Sequence, residues 1–97
     1  MDGGSLEEQI GPLLLQRGLK LAVAESCTGG LIGHRITNVP GSSDYYLGSV
    51  TAYAYEAKRF LLNVDLESLT KFGAVSREIA LEMAIGVRRA FVGSEIP

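Results

Sequence analysis

The sequence predicts an α/β fold built in layers of helix, sheet and helix around a mainly parallel sheet. Helix-like and strand-like segments alternate along the chain, as they do where helices connect parallel strands. The first strand-like segment, Leu19–Glu25, is apolar at nearly every position after Lys20, which is typical of a buried parallel strand. The chain has 97 residues, of which 46% are hydrophobic, and this is enough material for the core of one domain.

The first predicted helix runs from Leu6 to Gln16. Ser5 and Glu8 fit a capping box, in which each side chain satisfies a free backbone donor of the first turn. Gly18 stands where a left-handed residue would end the helix. Pro12 removes a backbone donor in the interior, so we expect either a kink or a start later than the capping box indicates.

The remaining elements follow from turn residues, capping residues and apolar spacing. The predicted elements are a helix over Gly29–Thr37 capped by the preceding hydroxyl residues, a loop over Asn38–Asp44, a strand over Tyr45–Tyr53, a helix over Tyr55–Leu62, a short helix capped by Asp65 and ending at Phe72, and a final helix capped by Ser76. The final helix carries an apolar stripe at helical spacing. Its members are Ile79, Ala80, Met83, Ala84, Val87, Ala90 and Phe91.

The bulk composition excludes several classes of function. The net charge is -2 and the basic residues are scattered, so neither nucleic acid nor an anionic membrane is an expected partner. Cys27 and His34 are the single residues of their types, so the chain has no internal disulfide and no zinc-ligand spacing. The N-terminus lacks a signal-peptide pattern and no apolar run is long enough to span a membrane, so we expect a cytoplasmic protein.

The loop after the first strand, Ser26–Gly30, is the first candidate for chemistry. A strand that turns into a helix here presents free N–H groups and the positive end of a helix dipole, which suit an anion or a developing oxyanion. The loop matches neither the P-loop nor the dinucleotide-binding fingerprint. A purely structural role fits the same residues, because Gly29 and Gly30 permit a tight turn while Ser26 and Thr28 could cap the helix.

The second strand places two more candidates near that loop. Ligands of open α/β sheets collect at the carboxyl ends of the strands. If the two strands are parallel neighbours, Ser26, Tyr53 and Lys58 gather at one point, and a desolvated lysine can act as the base for a serine nucleophile. A lysine in a first helical turn is more often a solvated surface residue, so the residues alone leave this open. His34 is a weaker candidate base.

Four blocks of the sequence resemble one known family. In chain order the blocks are Ala24–Gly30, Val39–Ser43, Tyr53–Lys58 and Gly73–Ser76. They resemble the C-terminal domain of CinA, the competence/damage-inducible protein, and the stand-alone amidases similar to it. The resemblance implies hydrolysis of nicotinamide mononucleotide to nicotinate mononucleotide and ammonia, with a small-molecule nucleotide as substrate and with neither a metal nor an organic cofactor.

The resemblance also implies roles for individual residues. Ser26 would be the nucleophile, Lys58 its base, and Tyr53 a hydrogen-bonding partner that orients or relays the proton. The residues implied for holding the substrate or its oxyanion are Glu25, Thr28, Gly29 and Gly30. One departure affects the edge of the site, because Ala54 and Tyr55 stand where the family commonly has Ser and Asn.

Residues 1–97 correspond to about the first three-fifths of the family's domain. The family's later block Val-Thr-Gly-Ile-Ala-Gly-Pro is not present in the chain. We therefore expect an incomplete sheet, and a chain that is inactive by itself. We also expect a homo-oligomer that pairs strand edges or buries the stripe of Ile79, Met83, Val87 and Phe91 between subunits.

The residues of the same loop also allow two other functions. A cysteine hydrolase could use Cys27, because a thiol at a helix N-terminus has a lowered pKa. His34 lies two turns away from it, however, and Cys27 also fits a small packing residue. A non-catalytic module could instead use the glycine loop to bind a nucleotide phosphate and pair with another subunit.

Overall fold

The computed structural model describes residues 4–92, which form an α/β fold. Its helices are α1 Leu6–Arg17, α2 Leu31–Thr37, α3 Tyr55–Leu62, α4 Leu66–Phe72 and α5 Arg77–Val92. Its strands are β1 Leu21–Glu25 and β2 Tyr46–Thr51, and a 3-10 helix spans Ser42–Asp44. The two strands pair in parallel, with Ala22 opposite Gly48 and Glu25 opposite Thr51. The predicted order of elements and the parallel pairing are thus confirmed.

The predicted capping box sets the start of α1. The Glu8 N–H donates to the Ser5 hydroxyl at 3.3 Å, and the Ser5 N–H donates to the Glu8 carboxylate at 2.9 Å. The helix therefore begins at Leu6, and the later start considered because of Pro12 is wrong. The capping box satisfies two backbone N–H donors at the N-terminus of α1, whereas Pro12 removes only one backbone hydrogen bond in its interior.

The end of α1 shortens the predicted first strand. Gly18 has a φ of 64°, and the Leu19 N–H donates back to the Leu14 carbonyl at 2.9 Å. Leu19 therefore closes the helix instead of pairing with β2, so β1 begins at Leu21. The second strand is shorter than predicted for a similar reason, because the Tyr45 N–H donates to the Ser42 carbonyl within the 3-10 turn.

The start of α2 differs from the prediction in both position and cap. Gly29 and Gly30 have φ values of 62° and 100°, which are outside the helical region, so the helix begins at Leu31. No hydroxyl caps it, and the predicted caps from Ser26 and Thr28 are wrong. By contrast, Asp65 caps α4 as predicted, and Ser76 accepts a hydrogen bond from the Ile79 N–H of α5.

Helices lie on both faces of the sheet. Side chains alternate along a strand, and in β1 Ala22 and Ala24 pack against the core beneath α5. Leu21 and Val23 instead line a groove with α1 and α2. The same alternation separates the next two side chains. Glu25 contacts α2, on the face of Leu21 and Val23, whereas Ser26 contacts Lys58 of α3.

The hydrophobic core lies between the sheet and helices α3, α4 and α5. Its buried members are Ala52, Leu62, Val64, Leu69, Ile79, Met83 and Val87. The predicted stripe of α5 is therefore split. Ile79, Met83 and Val87 are buried inside the chain, while Phe91 stays partly exposed. The predicted burial of Ile79, Met83 and Val87 between subunits is therefore wrong, because α3 and α4 already cover these side chains.

A glycine permits the close approach of α3 and α5. A Cβ atom at Gly86 would clash with the main chain of Leu62, the last residue of α3. The contact fixes the helix that carries Lys58 against the longest helix of the fold. Among residues 4–92 no helix combines the length and apolarity needed to cross a membrane.

Candidate active site

The carboxyl ends of the two strands bring Ser26 and Lys58 into contact. Ser26 directly follows β1, and Lys58 lies in the first turn of α3, soon after the end of β2. The Lys58 Nζ donates to the Ser26 Oγ over 3.1 Å. Parallel strands end at the same edge of a sheet, which explains why residues 32 positions apart in the chain meet there.

Lys58 is buried, with 1% of its surface exposed. Besides Ser26, its Nζ contacts two main-chain carbonyls, that of Ala52 at 3.0 Å and that of Tyr53 at 2.9 Å. A carbonyl only accepts hydrogen bonds, whereas a hydroxyl can donate or accept. A charged lysine satisfies all three oxygens with three N–H groups. A neutral lysine satisfies the two carbonyls with its two N–H groups and directs its lone pair at the Ser26 hydroxyl.

Tyr53 reaches the site through its backbone. Its carbonyl accepts the hydrogen bond from Lys58, while its side chain is 80% exposed. Tyr55, at the start of α3, is also exposed. The two aromatic rings therefore lie at the surface near the pair, and within residues 4–92 the hydroxyl of Tyr53 forms no hydrogen bond to Lys58 or Ser26.

Glu25 is buried directly before Ser26, with 2% of its surface exposed. One carboxylate oxygen accepts from the Thr28 hydroxyl and from the Ile32 N–H, each at 2.7 Å. The other oxygen accepts from the Gly33 N–H at 2.9 Å. The carboxylate therefore occupies the N-terminus of α2, where the sequence indicated room for an external anion.

Burial acts to raise the pKa of the Glu25 carboxyl, but the hydrogen bonds that it accepts act more strongly in sum. They come from the Thr28 hydroxyl and from main-chain N–H groups at the start of α2 and at Gly30. The pKa of Glu25 is therefore below its ordinary value, and the group is ionised at neutral pH.

The rest of the loop presents main-chain donors. Gly29 donates its N–H to the Ser26 carbonyl at 3.2 Å, and the positive φ values of Gly29 and Gly30 turn the chain away from β1. Within residues 4–92 the N–H groups of Cys27 and Thr28 donate to no other protein atom. These two amides follow the candidate nucleophile directly and remain available to a ligand.

The other candidate residues are not assembled with the pair. Cys27 is exposed, and no described side chain that could act as a base forms a hydrogen bond to it. His34 is exposed on α2, where its Nε2 lies 3.5 Å from the Asn38 amide. In the part of the chain that is described, no three His, Cys, Asp or Glu side chains group as metal ligands.

A cavity of about 260 Å³ opens beside Ser26. The loop of Ser26–Thr28 forms one wall, and the segment Ala74–Ser76 before α5 forms another, with Met83 beneath. The sequence block Gly73–Ser76, for which the residues alone indicate no role, therefore lies across a cavity from Ser26. Two further components, the carbonyls of Ala52 and Tyr53, could not be predicted from the sequence, because main-chain groups carry no residue signature.

Comparison with known proteins agrees with the family resemblance of the sequence blocks. Residues 4–95 match the family model described as the CinA C-terminal domain. A Moorella thermoacetica protein described as competence-damage inducible is 56% identical over 98% of this chain and 23% of its own length. A CinA-like protein of Salinibacter ruber is 56% identical over 89% of this chain and 21% of its own length.

Solved structures show the same fold. A competence/damage inducible protein of Agrobacterium tumefaciens superposes with a TM-score of 0.81 at 45% identity, over 84% of this chain and 50% of that one. The competence damage-inducible protein A of Klebsiella pneumoniae gives a TM-score of 0.85 at 34% identity, over 91% of this chain and 54% of that one. The chain thus spans about half the length of these solved relatives, and a smaller share of the curated ones.

Proposed function

The chain belongs to the CinA C-terminal domain family, and we propose that it supplies the nucleophile and base of a nicotinamide-nucleotide amidohydrolase. The proposed reaction converts nicotinamide mononucleotide and water into nicotinate mononucleotide and ammonia. The observation that supports it is the contact of 3.1 Å between the buried Lys58 amine and the Ser26 hydroxyl. A serine needs such a partner, because its hydroxyl is a weak nucleophile on its own.

In the proposed first step, neutral Lys58 accepts the proton of Ser26 through its lone pair. Its two N–H groups remain on the Ala52 and Tyr53 carbonyls, so the amine keeps its orientation during the transfer. The Ser26 oxygen bonds to the carboxamide carbon, and the carbonyl electron pair moves to oxygen. Lys58 then returns the proton to the amide nitrogen, the carbon–nitrogen bond breaks, and ammonia leaves an ester on Ser26.

The second half of the reaction reverses these roles. Lys58, neutral again, takes a proton from water, and the resulting hydroxide oxygen bonds to the ester carbon. The carbon–oxygen bond to Ser26 breaks, Lys58 returns its proton to the serine oxygen, and the product acid gives its remaining proton to the solvent and leaves as the carboxylate. The oxyanion in both halves would be stabilised by the free N–H groups of Cys27 and Thr28, since donors aimed at developing charge lower the barrier.

Neither rival function has an observation of its own in its favour. A cysteine nucleophile would require a base in contact with Cys27. Lys58, the candidate base, contacts Ser26 instead. A phosphate at the N-terminus of α2 would compete with Glu25, whose carboxylate already accepts the N–H groups of Ile32 and Gly33. The serine mechanism therefore uses more of the observed contacts than either alternative.

The test is ammonia release from nicotinamide mononucleotide. Because this chain spans half of the solved Agrobacterium relative, it is assayed alone and as a hybrid that carries the second half of that protein. In the hybrid, Ser26→Ala should reduce release to background, while Cys27→Ser keeps most of it. An inactive Cys27→Ser beside an active Ser26→Ala would assign the reaction to the thiol.

Replacements of Lys58 separate a base from a simple positive charge. Lys58→Arg keeps a charge that cannot be lost near neutral pH, so it should lower kcat as much as Lys58→Ala, by about 10²- to 10⁴-fold. Circular dichroism of both variants confirms that they fold. Substantial activity in Lys58→Arg would mean that the lysine binds a substrate anion and is not the base.

A further inference from the structure

Glu25 connects the two halves of the candidate site through different atoms. Its carboxylate holds the start of α2 by way of Ile32 and Gly33, and it holds the loop itself by way of the Thr28 hydroxyl. Its main-chain carbonyl accepts from the Ala52 N–H at 2.8 Å. One residue thereby links the strand that precedes Ser26 to a helix on one face of the sheet and to the segment that follows β2.

The Ala52 contact leads directly to the base. Ala52 donates its N–H to Glu25 and offers its carbonyl to the Lys58 Nζ. Ser26 is the next residue after Glu25 and contacts the same Nζ. The chain of contacts from the Glu25 main chain through Ala52 to Lys58 closes at Ser26, so the place of the nucleophile relative to its base depends on how Glu25 is held.

The helix is packed too closely to give the carboxylate another position. A Cβ atom at Gly33 would lie 2.7 Å from the Tyr46 hydroxyl oxygen and 3.0 Å from the Ser49 hydroxyl oxygen. It would also lie 3.3 Å from the Glu25 carboxylate. Only a glycine lets α2 approach β2 so closely, and the carboxylate is enclosed between them.

We propose that Glu25 is the positioning residue of the Ser26–Lys58 pair and is not a ligand of the substrate. The Ser26–Lys58 pair itself rests on the proposed function, whereas the positioning can be measured without any substrate. The buried Glu25 carboxylate already accepts from Thr28, Ile32 and Gly33, and the Thr28 hydroxyl has donated its only hydrogen to it. The hydrogen-bond donors that this loop offers to the substrate are then main-chain N–H groups.

The experiment uses Glu25→Gln and a matched carboxylate of the same chain. Asp65 caps α4 in a comparable way, since it accepts from the N–H and the hydroxyl of Ser68 at 3.1 and 3.3 Å. Asp65→Asn therefore reports the effect of weakening a helix cap far from Ser26. The readout is the NMR chemical shift of the Lys58 Nζ, recorded through its Cε protons, and Ser26→Ala defines the shift that accompanies a lost serine contact.

A second readout is the exchange rate of the Ile32 and Gly33 amide protons. A carboxamide cannot accept at both of its heavy atoms, so Glu25→Gln should accelerate this exchange by about 10- to 100-fold. The Lys58 Nζ shift should move toward its value in Ser26→Ala, and Asp65→Asn should change neither readout. If the amides of α2 open while the Lys58 Nζ shift stays at its wild-type value, the proposal is overturned.

Two additions keep the outcome decisive. Thr28→Val removes one donor to the carboxylate and preserves the side-chain shape, so it should move the Lys58 shift in the same direction by a smaller amount even if Glu25→Gln fails to fold. An unchanged shift in Thr28→Val, with Glu25→Gln unfolded, would count against the proposal. Absence of ammonia release in every hybrid would refute the amidase function, and the Lys58 shift would still decide the role of Glu25.

Discussion

The core beneath α5 and the outer edge of β1 differ in how completely the described residues enclose them. In the core, Ile79 and Leu69 are 0% and 1% exposed. At the outer edge of β1, which has no strand partner within residues 4–92, apolar grooves of about 610 and about 290 Å³ lie on the two faces. Side chains that line these grooves include Leu21, Val23, Ile32, Leu47, Ala84 and Phe91.

The difference separates the two members of the Ser26–Lys58 pair. Lys58 belongs to the enclosed region, where α3 packs on α5 and two carbonyls hold the amine. Ser26 follows β1, whose outer edge is uncovered in the described structure. The environment of the proposed base is therefore complete in these residues, while the strand that precedes the proposed nucleophile has unpaired backbone groups along one side.

Self-association of the chain should show the largest effect. The open edge of β1 has unpaired backbone groups and its grooves are apolar, so contact with a second copy would stabilise both. We expect a homo-oligomer at micromolar concentration, which corresponds to about 8 kcal/mol of association free energy for a dimer. Leu47→Lys should place a charge in the larger groove and yield monomers. Sedimentation equilibrium measures this, and Phe60→Lys, at an exposed side chain of α3, is the control. A wild-type chain that sediments as a monomer would contradict the prediction.

The enclosed core should respond next most strongly. Ile79→Ala removes a fully buried side chain and should lower the free energy of unfolding by about 2–5 kcal/mol, through lost burial and the cavity left behind. Ile85→Ala makes the same chemical change on the same helix at a residue that is 49% exposed, and should change it by about 0.5 kcal/mol or less. Urea denaturation compares the two. Equal losses would show that the core is not the stabilising region described above.

The smallest effect should come from the ion pair that joins α1 to α2. The exposed Arg35 donates two hydrogen bonds to the partly exposed Glu7 carboxylate, at 2.9 and 2.7 Å, and the hydrogen bond from Arg35 is the main reason that the pKa of Glu7 is lowered to about 2. A lowered folded pKa stabilises the fold above the unfolded value of 4.5, and this contribution is lost as pH falls toward about 2.

Thermal unfolding across this pH range tests the sign of the effect. The melting temperatures of wild type and Glu7→Gln should differ slightly at neutral pH and converge as the pH falls from about 4.5 to about 2. Added salt should also reduce the difference, because the pair is exposed to solvent. A difference that grows in acid would mean that the Glu7 carboxyl acts in its protonated form.

The helix caps show what the sequence determined by itself. Ser5 with Glu8, Asp65 with Ser68, and Ser76 with Ile79 are partners three positions apart, and each formed as predicted. Contacts this short depend on local backbone geometry alone. The parallel pairing of β1 with β2 was also predictable, because alternation of strands and helices leaves few other topologies.

Tertiary structure alone decided the contacts that depend on packing between distant elements. The cap of α2 is an example, since the sequence offered nearby hydroxyls and the fold used the Glu25 carboxylate, which strand parity turns toward the helix. The burial of Lys58 is another, because a lysine in a first helical turn is ordinarily solvated, and here tertiary packing brings it against Ser26 and the segment after β2. Its two carbonyl acceptors have no sequence signature, so their positions become known only once the backbone is folded.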